Sequence, residues 1–148
     1  MLIPTDDRQF RFWEMRRSGT PNITIASLLG ISRQAVSHGL LTVDKKVGSA
    51  LEEMAKANRI EIGKMNVQHG ILIGRSVPFQ TRALIFVSMK HGLQVWYEHE
   101  GDCGTCQRYT ECIELLWDYA RELGISLQKT EDPTRMADEL FSRIEEMV

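Results

Sequence analysis

No stretch of this 148-residue chain approaches the ~18–20 consecutive apolar residues that a bilayer-spanning helix needs. The first residues, MLIPTDDRQF, turn polar and acidic at once, so no signal peptide is expected and the chain is assigned to the cytoplasm. There is no internal repeat and no low-complexity tract. Phosphate-binding Gly-Lys-Ser/Thr, His-Glu-x-x-His and the nucleophile elbow are all missing, so no enzyme class is suggested. Cysteine is scarce: three residues, all between Cys103 and Cys112. An odd, tightly clustered set points to metal, cluster or redox chemistry rather than a disulfide framework. A large excess of one charge is also missing. The net charge is −2, which taken alone speaks against a strongly basic nucleic-acid binder.

What is present is ordinary globular composition, with 43% hydrophobic and 26% charged residues. The charge is unevenly spread. Residues 1–65 hold ten Lys/Arg against seven acids, and residues 66–97 hold three bases and no acid. Residues 98–148 hold five bases and thirteen acids. A basic front and an acidic rear are compatible with a surface that faces nucleic acid and a separate surface that does not.

Helical spacing dominates the first part. Phe12, Trp13 and Met15 lie on a segment ending near Arg17, and Ser18-Gly19-Thr20-Pro21 breaks it. Asn22 to Leu29 reads as a second helix, with Ile25, Ala26 and Leu29 apolar. Ser32 is suited to cap a third. Its periodicity runs through Val36, Leu40, Val43, Val47, Leu51 and Met54, either as one long helix or as two separated near Thr42. The stripe Val43, Val47, Ala50/Leu51 and Met54 suits a dimer seam or a junction to the next segment. From Arg59 the pattern alternates, and four short antiparallel strands are expected at about 59–66, 70–76, 82–89 and 93–99. Helical spacing returns at about 110–123, and Asp132-Pro133 opens a last helix.

The most informative segment is Asn22–Leu41, NITIASLLGISRQAVSHGLL. Two helices that cross closely need a small residue at the crossing, and Ala26 supplies it. The turn between them needs a residue tolerant of positive φ, and Gly30 follows four positions later. Val36 is placed to hold the second helix on the first. That leaves Arg33, Gln34, Ser37, His38 and Leu41 on the free face. Gln pairs with adenine, and Arg with guanine or a phosphate. The stretch LGISRQAVSHGL resembles the helix-turn-helix of bacterial sigma-factor region four, of LuxR-type regulators and of archaeal Tfx-like regulators. RQFRFWEMRRSG resembles the helix that precedes it in those proteins. The resemblance covers about residues 5–57. It implies a double-stranded DNA-binding unit with Ser32–Leu41 as recognition helix. Arg16, Arg17, Lys45 and Lys46 flank it as phosphate contacts, each alternatively a solvated surface charge. Gly39 departs from a good helix former by ~1 kcal/mol, either to let DNA approach or as a tolerated residue.

His99, Cys103, Cys106 and Cys112, in WYEHEGDCGTCQRYTEC, form a Cys3His set of the kind that holds zinc tetrahedrally. His-x3-Cys-x2-Cys is similar to the segment of zinc-binding anti-sigma factors. Cys-x2-Cys-x5-Cys is similar to part of WhiB-like and SPASM [4Fe–4S] binders, although the further cysteine of those families is missing. Zinc is the first expectation, a [4Fe–4S] cluster the alternative, and three free thiols or a redox-active Cys103–Cys106 pair remain open.

The expectation is an α+β protein. Residues 1–58 form a three-to-four-helix helix-turn-helix domain. Residues 59–148 form a small antiparallel sheet, a metal-binding loop and two C-terminal helices, for regulation or dimerisation. The expected function is sequence-specific transcription regulation, by a homodimer on a palindromic site, with the metal region stabilising the protein or sensing metal or redox state. Two other classes are open: a protein-interaction module of the transcription machinery docking through the acidic C-terminal helices, and an iron–sulfur redox protein that uses the helix-turn-helix as scaffold.

Overall fold

The change of hydrophobic period near residue 59 is the change of backbone. A computed structural model describes residues 7–98, 109–127 and 132–148. Among the described residues there are five helices and four strands, and the protein is α+β. Three helices come first: α1 (Asp7–Arg17), α2 (Asn22–Leu29) and α3 (Arg33–Ala57). Four strands follow: β1 (Ile60–Asn66), β2 (Ile71–Ser76), β3 (Thr81–Ser88) and β4 (Gly92–Tyr97). Helices α4 (Tyr109–Glu122) and α5 (Pro133–Met147) complete the chain. None of the described helices is long and apolar enough to cross a membrane.

The strands form an antiparallel meander in the order β1-β2-β3-β4. Side chains alternate between the faces of a sheet, and here both faces are covered. Leu72, Ala83, Ile85, Val87 and Leu93 join a core with Phe12, Trp13, Ile25, Val36, Leu40, Val47 and Leu51 from α1–α3. Ile71, Ile73, Leu84, Phe86 and Trp96 join a second core with Leu116 and Tyr119 of α4 and Met136, Leu140, Phe141 and Ile144 of α5. This explains why β3 reads as an unbroken apolar run, Ala83 to Val87, instead of alternating: it is buried on both sides.

α3 is one helix of 25 residues, about 37 Å at 1.5 Å per residue. It is not divided at Thr42, whose hydroxyl donates back to the His38 carbonyl at 3.1 Å and leaves the ladder intact. An uninterrupted inner stripe packs it against α1, α2, β1 and β3. Val43 and Val47 are fully buried in that stripe, with Ala50 and Leu51 beside them and Met54 packed at its margin. The stripe is therefore the junction to the sheet, and no dimer seam runs along it. Pro133 begins α5 and the Asp132 side chain caps it, accepting from Thr134 N at 3.0 Å.

Candidate nucleic-acid interface

α2 ends because Gly30 takes φ +66 and ψ +36, the left-handed region where a side chain is strained. The Ile31 amide then donates to the Ala26 carbonyl at 3.0 Å, a Schellman closure that turns the chain sharply. Two residues later Ser32 caps α3, its Oγ accepting from Ala35 N at 3.1 Å. Ile25, Ala26, Val36 and Leu40 are buried where α2 meets α3. With its inner face so occupied, the first half of α3 leaves Arg33, Gln34, Ser37, His38 and Leu41 exposed. Lys45 is exposed one turn further on, and Lys46 is half-buried. The structure thus brings Arg33, Gln34, Ser37, His38 and Lys45 together on one outward arc. Ser32 is at its start, with its hydroxyl engaged as the cap.

Gly39 is on the opposite side. It is buried, and a Cβ there would lie 2.8 Å from Cδ2 and Cε2 of Phe12. Its reason is neither DNA approach nor tolerance. The Phe12 ring of α1 lies against the α3 backbone, and glycine leaves room for it without a shift.

Arg16 and Arg17 point elsewhere than the arc. Arg16 makes a two-pronged pair with Asp44 of α3, at 2.5 and 3.0 Å. Arg17 is buried, with 2% of its side chain exposed. It donates to the Val87 carbonyl at 2.8 Å and to Glu122 of α4 at 3.3 Å, and its guanidinium lies 4.8 Å from the Trp13 ring centroid. Glu122 also accepts from Ser88 Oγ at 2.6 Å and from the Met89 amide. Trp13 in turn donates to the Val67 carbonyl at 2.9 Å. These two arginines fix α1 to its neighbours. Their partners escaped sequence reasoning because Asp44 and Glu122 are 28 and 105 positions away. The one local signal is the i,i+4 spacing of Trp13 and Arg17, which stacks a cation over an aromatic ring on a helix.

Nearby, burial and then the charges of Arg17 and Arg16 hold the pKa of His69 below the usual histidine value. On the far side of the sheet, hydrogen bonds from His91 and Lys90 keep the Asp118 carboxyl below its usual range. Tyr119, stacked on Phe86 with centroids 4.1 Å apart, is fully buried, and burial pushes its phenol up.

Of the expected metal ligands, His99, Cys103 and Cys106 lie outside the described residues. Cys112 is in the first turn of α4 and half-buried. Among the described residues no group of three or more His, Cys, Asp or Glu could hold a metal ion.

Comparison with protein-family models, with curated proteins and with solved structures finds no match to this chain.

Proposed function

We propose that this protein binds double-stranded DNA sequence-specifically and regulates transcription. α2, the Gly30–Ser32 turn and the first turns of α3 act as a helix-turn-helix. The observation that carries the reading is the outward arc of α3. Arg33, Gln34, Ser37 and His38 are exposed together on a helix whose other side is locked into a core by Val36 and Leu40. Such an arc offers bidentate donors and acceptors to base edges in a major groove. Lys45 adds a phosphate contact, while Arg16 and Arg17 support the unit from behind. A homodimer on a palindromic site remains part of the proposal, through a surface other than the buried Val43–Leu51 stripe.

Selection of duplexes from a randomised library by the full chain, followed by anisotropy titration of the enriched sequence, tests the proposal. One enriched motif, bound far more tightly than scrambled duplex, is the expected result. Absence of any enrichment overturns it. Sedimentation of the complex at the enriched site gives the stoichiometry, two chains per palindrome being expected.

The proposal includes a structural zinc held by His99, Cys103, Cys106 and Cys112, with a [4Fe–4S] cluster as the alternative occupant. In sequence, β4 ends two residues before His99, and Cys112 lies in the first turn of α4. Three thiolates and one imidazole are a donor set that suits zinc. Metal analysis of anaerobically purified protein should give one zinc per chain without colour. A brown preparation replaces zinc with a cluster, and metal-free folded protein removes both.

A second reading, docking to a protein of the transcription machinery, is favoured by the exposed acids Glu111, Glu114, Asp138, Glu145 and Glu146 on α4 and α5. Retained partner binding by a chain that binds no duplex would select it.

A further inference from the structure

Leu41 has no structural reason to be apolar. It is 64% exposed, while its neighbours Leu40 and Val43 fill the core. Its place on the helix is specific. At ~100° per residue, it projects ~20° from Gln34 and ~40° from both Ser37 and Lys45. It therefore stands in the middle of the polar arc of Arg33, Gln34, Ser37, His38 and Lys45, all of them exposed. In the unbound protein most of this side chain lies in solvent. Its chemistry offers no hydrogen bond, only apolar surface, so it is suited to a partner that presents an apolar group among polar ones.

The edge of a base pair in the major groove meets that description at one place. The other features there are hydrogen-bond donors, acceptors and small ring C–H edges, and the pyrimidine 5-methyl is the one bulky apolar group. We infer that Leu41 is a specificity-determining residue that packs on the 5-methyl group of a pyrimidine, beside the base edge read by Gln34 or His38. The inference rests on the DNA-binding reading above and names what that surface selects. The methyl belongs either to thymine or to 5-methylcytosine, which present the same group in the groove.

The test uses the full chain and the duplex it enriches. Each thymine of the enriched site is replaced in turn by deoxyuridine, which deletes the methyl and nothing else. Each cytosine is replaced in turn by 5-methyl-deoxycytidine, which adds it. Burial of one methyl-sized group corresponds to about a fourfold change in Kd. The wild-type chain is expected to lose about fourfold at one deoxyuridine position, which assigns thymine, or to gain about fourfold at one methylated cytosine, which assigns methylcytosine. Leu41→Ala is expected to bind modified and unmodified duplexes of that pair equally. Being exposed, the position tolerates alanine, and unchanged circular dichroism confirms the fold. Indifference of the wild-type chain to every methyl overturns the inference. So does an unchanged methyl effect in Leu41→Ala, or a Leu41→Ala defect confined to a protein partner. If no duplex is enriched at all, the DNA-binding reading itself falls. If Gln34→Ala weakens binding while no methyl matters, the assignment of Leu41 alone falls.

Discussion

Arg17 of α1 and Glu122 of α4 are paired across the end of the sheet, 3.3 Å apart, with the guanidinium almost wholly buried. Glu122 joins α1 and the β3–β4 turn to the helix that begins beside Cys112. It accepts from Arg17, Ser88 and the Met89 amide together. The helices on the two faces of the sheet are thereby tied by a charged knot as well as by separate apolar cores.

Breaking that pair leaves one charge without its partner. Arg17→Met is expected to destabilise the protein by about 3 kcal/mol in chemical denaturation. At a concentration of protein where the variant is folded, its DNA affinity should be close to wild type, because Arg17 is internal. A loss of affinity with unchanged stability would restore Arg17 to the phosphate-contacting surface.

Gly39→Ala sets helix propensity against packing. Alanine is the better helix former by ~1 kcal/mol. Its Cβ would, however, sit 2.8 Å from a Phe12 ring that is only 3% exposed. Overpacking in a filled core typically costs ~1–3 kcal/mol, so a net loss of about 1 kcal/mol is expected. Phe12→Leu in the same chain should make Gly39→Ala less harmful, and a double-mutant cycle measures that coupling.

Tyr119 is buried and its hydroxyl has no hydrogen-bond partner among the described residues. Tyr119→Phe keeps the stack on Phe86 and removes the unsatisfied group. It is expected to raise stability by ~1 kcal/mol. A lower melting temperature would show that the hydroxyl is satisfied.

His69 has a folded-state pKa below its ordinary value of 6.5, first because of burial and then because of Arg17 and Arg16. The unfolded chain therefore binds the proton more readily. Above 6.5 the neutral ring carries no penalty. As the pH falls from 6.5 towards the depressed value, stability is lost, and below that value the loss is complete. Denaturation midpoints measured between pH 7.5 and about 5 should decline more in wild type than in His69→Gln. Parallel curves would assign the decline to other groups.

At the proposed interface, Gln34→Ala should weaken binding by ~1–3 kcal/mol and relax preference at one base position, if Gln34 reads adenine bidentately. Lys45→Ala should instead weaken all duplexes alike and flatten the salt dependence by about one unit of slope. The measurement is anisotropy titration at several salt concentrations. An unaltered preference in Gln34→Ala would remove it from the reading surface.

Local physics was legible along the chain because it is local. Gly30 at a positive φ, Ser32 as an N-cap and Pro133 at the start of a helix are decided by a few neighbouring atoms. Period, together with turn signals around the unbroken run Ala83–Val87, separated the helices from the strands. The strand boundaries fall within a residue or two of the alternating runs, since turns such as Lys90-His91-Gly92 punctuate them. The free arc of α3 was legible for the same reason: Val36 and Leu40 fix which side faces in, and a rigid helix then fixes the rest.

Pairing at long range was not legible. A sequence shows that Arg16 and Arg17 are charged, not that Asp44 and Glu122 wait for them. It shows that Gly39 has no side chain, not that Phe12 fills the space. It shows that Val43, Val47 and Leu51 form a stripe, and leaves open whether another chain or this chain's own sheet covers it. By itself the sequence determined the α+β class, the order of the elements and the polar character of the outward arc, because periodicity and turn chemistry act over a few residues. Only the tertiary structure decided that helices cover both faces of the sheet, that α3 is continuous and that Arg16 and Arg17 are tied to acids of other helices. Those outcomes depend on which apolar surfaces and charges meet when segments many positions apart compete for the same neighbours.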